Sequence, residues 1–370
     1  MQAIRLHEFH KPYSLESIPV PHPGPDELLV KIATASYCHT DSMVLSGSFP
    51  SKLPLTASHE GAGVIAEIGS GVSGFSEGQR VMCPIMAGRC GECTSCRGPD
   101  DRKHYCPKEN HRGVTIDGAF AEYQLVDAQE TNVLPDGVDF ETAAPLACAG
   151  RTIWRAIKTA GLEPGQWIAL VGSGGGLGHI GIQFAKQLGL KVIGVDAKDG
   201  ALALSKEVGA DIVVDARLGK EEVVKKVQEV VGGGEGVGAD ASIALADVED
   251  AAALACAITK MHGVMVQVAQ PEKVCIPFQE FVFRNVQVRG SLLCSKGEAD
   301  EMLTSVAKNG LKIKMEKTAG LDKVKGLVEK VHKGELSGKG VVIVDEELAT
   351  SARKQVQYCQ SSFSNHEHAA

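Results

Sequence analysis

The stretch Trp167-Ile168-Ala169-Leu170-Val171-Gly172-Ser173-Gly174-Gly175-Gly176-Leu177-Gly178 runs from apolar residues into glycines and ends where a helical pattern begins. A short apolar run closed by glycine reads as a buried strand. Ile180, Phe184 and Leu188, four apart, read as one buried helix face that stops at Gly189. Strand, glycine turn and helix form the unit in which backbone N–H groups at a helix N-terminus meet a pyrophosphate. The strict Gly-x-Gly-x-x-Gly frame ending at Gly178 puts Ser173 at its first glycine, so the match departs at one position. A second signal is Asp196, at the end of the next apolar run, where a carboxylate holds the adenosine ribose hydroxyls of a dinucleotide. A carboxylate there repels a 2′-phosphate, so the expected hydride carrier is NAD rather than NADP.

Outward from this turn, strands alternate with helices. Trp167 to Val171, Lys191 to Val195, Ile212 to Val214, Ala241 to Leu245, Val264 to Val268 and Val286 to Val288 read as six strands of a doubly wound parallel sheet in an α/β chain. Residues 1 to 150 have a different texture, β-rich and punctuated by glycine, with apolar runs such as Leu28 to Ile32 and Gly63 to Ile68 and no long amphipathic helix. After Ser291 come helical patterns around Met302 to Val306 and Val324 to Val331, then a strand at Val341 to Val344. Past this strand the chain turns polar, which predicts a loose tail over 346–370 whose His366 and His368 are solvated.

The 370 residues, 44% hydrophobic and 23% charged, suffice for two ordinary cores, and a net charge of −8 supplies no basic field for nucleic acid. No apolar run has the length of a membrane-spanning helix, and Met1 to His10 shows neither a secretory nor a transit pattern, so a soluble cytosolic protein is expected. Five of the 11 cysteines, Cys83, Cys90, Cys93, Cys96 and Cys106, fall within 24 positions. In a reducing compartment such clustering points to metal rather than to disulfides.

Cys90-x2-Cys93-x2-Cys96 with Cys106 offers four thiolates in one loop, enough to close a tetrahedral zinc shell with no place for water, which makes that site structural. Cys83 lies outside the run and reads as a small core residue. A second set is dispersed: Cys38 in Cys38-His39-Thr40-Asp41, His59-Glu60, and Cys148 in Pro145-Leu146-Ala147-Cys148-Ala149-Gly150. Spacing alone does not assemble it. Two thiolates and one imidazole are nevertheless a known catalytic zinc shell with an open fourth position.

In this order, Cys-His-Thr-Asp at 38 to 41, His59-Glu60-Gly61-Ala62-Gly63, the cysteine loop, Cys148-Ala149-Gly150 and Gly-Gly-Leu-Gly at 175 to 178 resemble the zinc-containing alcohol dehydrogenases of the medium-chain dehydrogenase/reductase family, in particular the yeast and fungal type. The resemblance runs to about residue 345. It implies a GroES-like catalytic domain over 1–153, a Rossmann NAD-binding domain over 154–290, a segment over 291–345 returning to the first, two zinc ions per chain and a homotetramer. By position it assigns Cys38, His59 and Cys148 to the catalytic zinc, with Glu60 behind the metal as an occasional ligand. Thr40 takes the alcohol proton and passes it to the nicotinamide ribose, and Asp41 fixes the tautomer of His59. Coenzyme contacts fall on His39, Thr40, Gly175, Gly176, Leu177 and Gly178, with Asp196, Val268, Ser291, Leu293 and Lys339 joining them.

Three features depart from the family. Its relay commonly ends in a histidine five residues after the first ligand cysteine, and here that residue is Met43, which carries no proton. Nine residues, Arg97 to Tyr105, separate Cys96 from Cys106 where seven are usual. Phe49 and Ile85 stand where two tryptophans narrow the ethanol pocket of the yeast type, so a wider substrate pocket is expected, open to longer, branched, aromatic or secondary alcohols. Two rival functions fit the same motifs: another medium-chain zinc reductase, acting on polyols or aromatic aldehydes, and a non-catalytic protein retaining the fold.

Overall fold

The computed structural model describes residues 1–234, 236–336 and 338–367, with side chains described as far as residue 357. The chain separates into two compact units, one of Met1–Arg151, Cys294–Gly310 and Met315–Ala370, the other of Thr152–Leu293 and Leu311–Lys314.

The first unit is organised by the eleven-residue strand Glu27–Tyr37, whose Leu28, Val30, Ile32 and Ala35 are all inaccessible to solvent. It pairs antiparallel with Glu60–Ile68, with Tyr123–Asp127 and with Lys339–Ile343, so sequence from both ends of the chain meets on it. The register sets Ser36 opposite Glu60 and Tyr37 opposite Gly340. That places Cys38, just past the strand end, beside Glu60 and Lys339. Sheet order runs Asn132–Val133, Arg80–Met82, Glu60–Ile68, Glu27–Tyr37, Lys339–Ile343, Met315–Ala319, the last two joined in parallel through helix Val324–His332. Cys148 arrives from a helix. Phe140–Pro145 opens into a wide π-helical turn, Leu146–Gly150, before helix Arg151–Ala160 resumes, the kind of local widening that recurs at functional sites.

The second unit is a six-stranded parallel sheet in the order Ile212–Asp215, Lys191–Asp196, Trp167–Val171, Ala239–Ala244, Thr259–Gln267, Gln287–Gly290. In chain order this is 3-2-1-4-5-6, the doubly wound arrangement that binds dinucleotides at the carboxyl ends of its strands. Ala169, Ile193, Val195, Ala241 and Ile243 are fully buried, as both faces of such a sheet require.

Two expectations need correction. Leu188 does not continue the buried face of helix Gly178–Gln187: Ile180 and Phe184 are fully buried, but Leu188 is the helix cap at 36% exposure, where the backbone leaves helical geometry ahead of the left-handed Gly189. The tail is not loose where it is described. Glu346–Glu367 is a helix, and Ala349, Ala352 and Val356 bury one side of it. Arg353 Nε lies 3.3 Å from Glu141 Oε1, and Gln355 Nε2 donates to Asp136 Oδ1 at 3.1 Å. The expectation failed because three small apolar residues at i, i+3 and i+7 are a weak signal in a polar stretch. His366 and His368 lie outside the described side chains.

Ending the chain at Asp345 removes this helix and uncovers the surface under Ala349, Ala352 and Val356. A loss of about 2–4 kcal/mol follows from the apolar area involved, and calorimetry should show a melting temperature lower by a few degrees. An unchanged transition would mean that the helix contributes nothing to the fold.

Candidate active site

One donor atom each from Cys38, His59, Glu60 and Cys148 lies within 4.8 Å of every other. The dispersed set is thus assembled by the register of one sheet and one helical turn. His59 is 1% exposed and Glu60 is completely buried, so the cluster sits in a medium where charges must be matched. Contact between the two sulfurs moves their pKa values apart, that of Cys38 well below the usual thiol value and that of Cys148 well above it. Burial works against a charged His59, but the Asp41 carboxylate and the Cys38 sulfur outweigh it and raise its pKa. Two sulfurs and an imidazole converging in the dry interior fit a zinc ion.

Around the donors, each group has a defined partner. Asp41 Oδ1 lies 3.5 Å from His59 Nδ1, which leaves Nε2 for a metal. The same carboxylate accepts the Cys38 N–H at 2.8 Å and the Ser58 N–H at 3.1 Å, so it ties two ligand-bearing segments together. Glu60 accepts from the Ser36 hydroxyl, from the Ala149 N–H at 3.3 Å, and from Lys339 Nζ at 2.6 and 2.8 Å. Burial pushes the Glu60 carboxyl up and Lys339 opposes it. Lys339 itself is held protonated above its ordinary range by Glu60 despite burial. Lys339, expected among coenzyme contacts, therefore has its ammonium on Glu60. The Ser36 hydroxyl and the Lys339–Glu60 pair were not foreseen, because only the strand register brings residues 279 apart in sequence together.

Thr40 is half-buried in helix His39–Leu45 with Oγ1 3.9 Å from Cys38 Sγ, and His39 is exposed at the start of the same helix. Met43 on that helix is half-buried, Phe49 in the following loop is half-buried, and Ile85 is buried after strand Arg80–Met82. Those three lie on separate segments of one unit, and their approach to a substrate rests on the resemblance alone.

Cys90, Cys93, Cys96 and Cys106 also bring their sulfurs within 4.8 Å of one another. Cys90 Sγ lies 3.9 Å from Cys96 Sγ and 3.6 Å from Cys106 Sγ. Tetrahedral zinc–sulfur bonds place sulfurs about 3.8 Å apart, so the loop fits a closed zinc site of four thiolates. The long gap folds as a 3-10 turn, Asp100–Tyr105, that returns Cys106 to the cluster. Backbone N–H groups of Glu92 and Cys93 lower the Cys90 thiol to about 6. Cys83 is 1% exposed, and burial pushes its thiol up to about 12, as befits a core residue.

In the second unit, Gly174–Gly178, Asp196, Val268 and Ser291 all follow or end strands at the carboxyl edge of the sheet, and Leu293 is buried just beyond. Close approach explains the glycines. A Cβ on Gly178 would lie 2.3 Å from the Gly172 carbonyl oxygen, and one on Gly174 2.2 Å from that of Ala201. Ser173, at the odd position of the frame, is fully buried with its hydroxyl 2.7 Å from Ser205 Oγ, so it serves packing. Asp196 accepts the N–H groups of Gly174 at 3.0 Å and Ala197 at 2.8 Å, which holds the carboxylate at the turn.

A buried cysteine–histidine centre in one unit and a doubly wound nucleotide-type sheet in the other define a zinc-dependent oxidoreductase. Two family descriptions match the chain, the alcohol dehydrogenase GroES-like domain over residues 24–136 and the zinc-binding dehydrogenase over residues 176–308. An alcohol dehydrogenase of Geobacillus stearothermophilus is 35% identical over 94% of this chain and 100% of its own. The crystal structure of an alcohol dehydrogenase from Aeropyrum pernix superposes with a TM-score of 0.82 at 32% identity, covering 93% of this chain and 100% of that one. A zinc-binding dehydrogenase of Sinorhizobium meliloti bound to NADP gives 0.81 at 28%, covering 92% and 98%. The chain belongs to the zinc-type alcohol dehydrogenases of the medium-chain dehydrogenase/reductase family, and it is an enzyme interconverting alcohols with aldehydes or ketones.

Asp41→Asn places an amide N–H where the Cys38 and Ser58 N–H groups need an acceptor, and it loosens His59. Metal affinity at the Cys38–His59–Cys148 centre should fall about 10- to 100-fold. Zinc analysis after dialysis against a chelator should find one zinc per chain in the variant and two in the parent. Equal retention would remove Asp41 from this role.

Proposed function

We propose that the chain oxidises primary and wider secondary, branched or aromatic alcohols with NAD and catalyses the reverse reduction, using Cys38, His59 and Cys148 as catalytic zinc ligands. The observation that carries this reading is the convergence of those three donors with Glu60. Bound there, zinc supplies Lewis acidity that lowers the pKa of the substrate hydroxyl. The protein does the rest. Cys38, His59 and Cys148 leave one position open to substrate, Asp41 orients His59, and Glu60 is held at the edge of the shell by Lys339, Ser36 and Ala149. The Thr40 hydroxyl would take the alcohol proton, and with coenzyme bound it would face the nicotinamide ribose. His39 meets the coenzyme pyrophosphate, while Gly175, Gly176, Leu177 and Gly178 offer it backbone contacts and Asp196 holds the adenosine ribose. Val268, Ser291 and Leu293 complete the coenzyme wall. Cys90, Cys93, Cys96 and Cys106 bind a second, structural zinc.

The subtype we propose is the yeast and fungal one, on the strength of Cys38-His39-Thr40-Asp41 and the cysteine loop, and the compartment the cytosol. We also propose a homotetramer. Strand Gln287–Gly290 is an exposed sheet edge, and Val288, Phe278, Val282 and Phe283 near it are exposed apolar residues, the combination that favours pairing with a second copy.

A steady-state panel of alcohols with both coenzymes tests the reading. NAD should exceed NADP in kcat/KM by at least about tenfold, and Asp196→Ser should narrow that gap. Parity of the two coenzymes in the parent enzyme would refute the role of Asp196, and preference for polyols would favour the rival reductase.

Met43→His restores an ionisable group at the end of the relay. Alcohol oxidation near pH 7 should rise roughly severalfold, and the pH–rate profile should gain a histidine-like limb. An unchanged profile would show that the proton leaves without help from this position.

A further inference from the structure

Residues Leu311–Lys314 pack with the second unit although the chain on either side belongs to the first. Two side chains of helix Gly178–Gln187 hold this strap. Gln183 pairs with the backbone of Lys312 in both directions, its Nε2 donating to the carbonyl and its Oε1 accepting the N–H, each at 2.8 Å. His179 accepts the Lys314 N–H on Nε2 at 3.2 Å. An imidazole that accepts on Nε2 carries its proton on Nδ1. Here Nδ1 lies 2.7 Å from the Gly175 carbonyl oxygen, so it donates there. His179 is completely buried, which confines the ring to this bridge.

Gly175 and Gly176 share a planar trans peptide, in which C=O and N–H point in opposite directions. Fixing the Gly175 carbonyl against His179 therefore fixes the Gly176 N–H, aimed away from the helix. Glycines on both sides of that peptide give it more torsional freedom than other residues would; the His179 backbone N–H, 3.2 Å from the same carbonyl, holds it loosely, and the ring adds a second, shorter hydrogen bond. We propose that His179 is a positioning residue for the coenzyme phosphates: through its ring, the Leu311–Lys314 strap sets the orientation of the Gly175–Gly176 peptide and so presents the Gly176 N–H to the pyrophosphate. The inference rests on the reading of this turn as the dinucleotide site and adds to it a residue and a segment that make no contact with the ligand.

The experiment is calorimetric titration of the zinc-loaded enzyme with ADP-ribose, which carries the pyrophosphate without the nicotinamide. His179→Asn is too short to span Gly175 and Lys314, and Lys314→Pro removes the N–H while leaving the histidine in place. Each should weaken ADP-ribose binding roughly three- to tenfold, the size of one hydrogen bond. The double variant should be no weaker than the worse single one, because both cut the same link. The KM for NAD should rise in step while the KM for the alcohol holds, a split that general loosening of the fold would not give. Lys314 is exposed, so Lys314→Pro keeps the test open should His179→Asn not fold. Parent-like affinity in Lys314→Pro, or additive losses in the double variant, would overturn the proposal alone. Failure of the parent enzyme to bind ADP-ribose would overturn the coenzyme reading with it.

Discussion

Lys339 against Glu60 is the interaction on which the catalytic centre depends. A carboxylate with no exposed surface, next to two cysteine sulfurs, gathers negative charge where solvent gives no relief. Lys339, itself 4% exposed, answers that charge with contacts at 2.6 and 2.8 Å. Removing one partner of such a buried pair typically costs about 3–5 kcal/mol, because the other is left uncompensated. The pair also has a topological effect. Glu60 lies on one neighbour of strand Glu27–Tyr37 and Lys339 on the other, so the ion pair straddles that strand end and locks the C-terminal segment into register with the N-terminal one. Cys38 sits at that strand end, and its position is set by the same register.

The second unit solves a different problem with equally few parts. Its parallel strands end in turns at one edge, where backbone N–H groups and a carboxylate must stay available to a ligand while everything below is buried. Asp196 is kept there by N–H groups of Gly174 and Ala197, and the tight glycine packing lets the turn lie flat on the sheet. In the first unit it is side chains that are held fixed; in the second it is backbone.

What was legible in the sequence follows from range. The four-cysteine loop spans 17 residues, and its spacing alone dictates a zinc shell. The glycine turn with Asp196 is equally local, since strand, turn, helix and next strand follow one another, and the six strands emerged from apolar runs of ordinary length. Cys38, His59 and Cys148 were reached only through resemblance, because no local pattern tells which strands will be neighbours. Ser36 was invisible for the same reason: a serine two residues before a ligand says nothing until Glu60 is seen opposite it. Lys339 was noticed as a coenzyme contact, but its pairing with Glu60, 279 positions away, could not be read from the sequence. The Leu311–Lys314 strap alternates Leu311 and Ile313 with Lys312 and Lys314, a run too short to say which unit it joins, and the C-terminal helix has too few apolar residues to announce itself.

The degree of burial also divides the site into parts that evolution can and cannot easily change. Asp41, His59, Glu60, Ser36 and Lys339 are at most 4% exposed and interlocked by hydrogen bonds or ion pairs, so altering one strands a polar group on another. Thr40, Met43 and Phe49 are half-buried on one short helix and its loop, and none is tied into that network by more than the Thr40 contact with Cys38. Substitutions there leave undisturbed the network around the metal donors. A methionine at 43 and a phenylalanine at 49 are therefore compatible with an intact centre. The donor groups are kept in place by the cost of disturbing them, while Thr40, Met43 and Phe49 lie outside that network and carry no such cost.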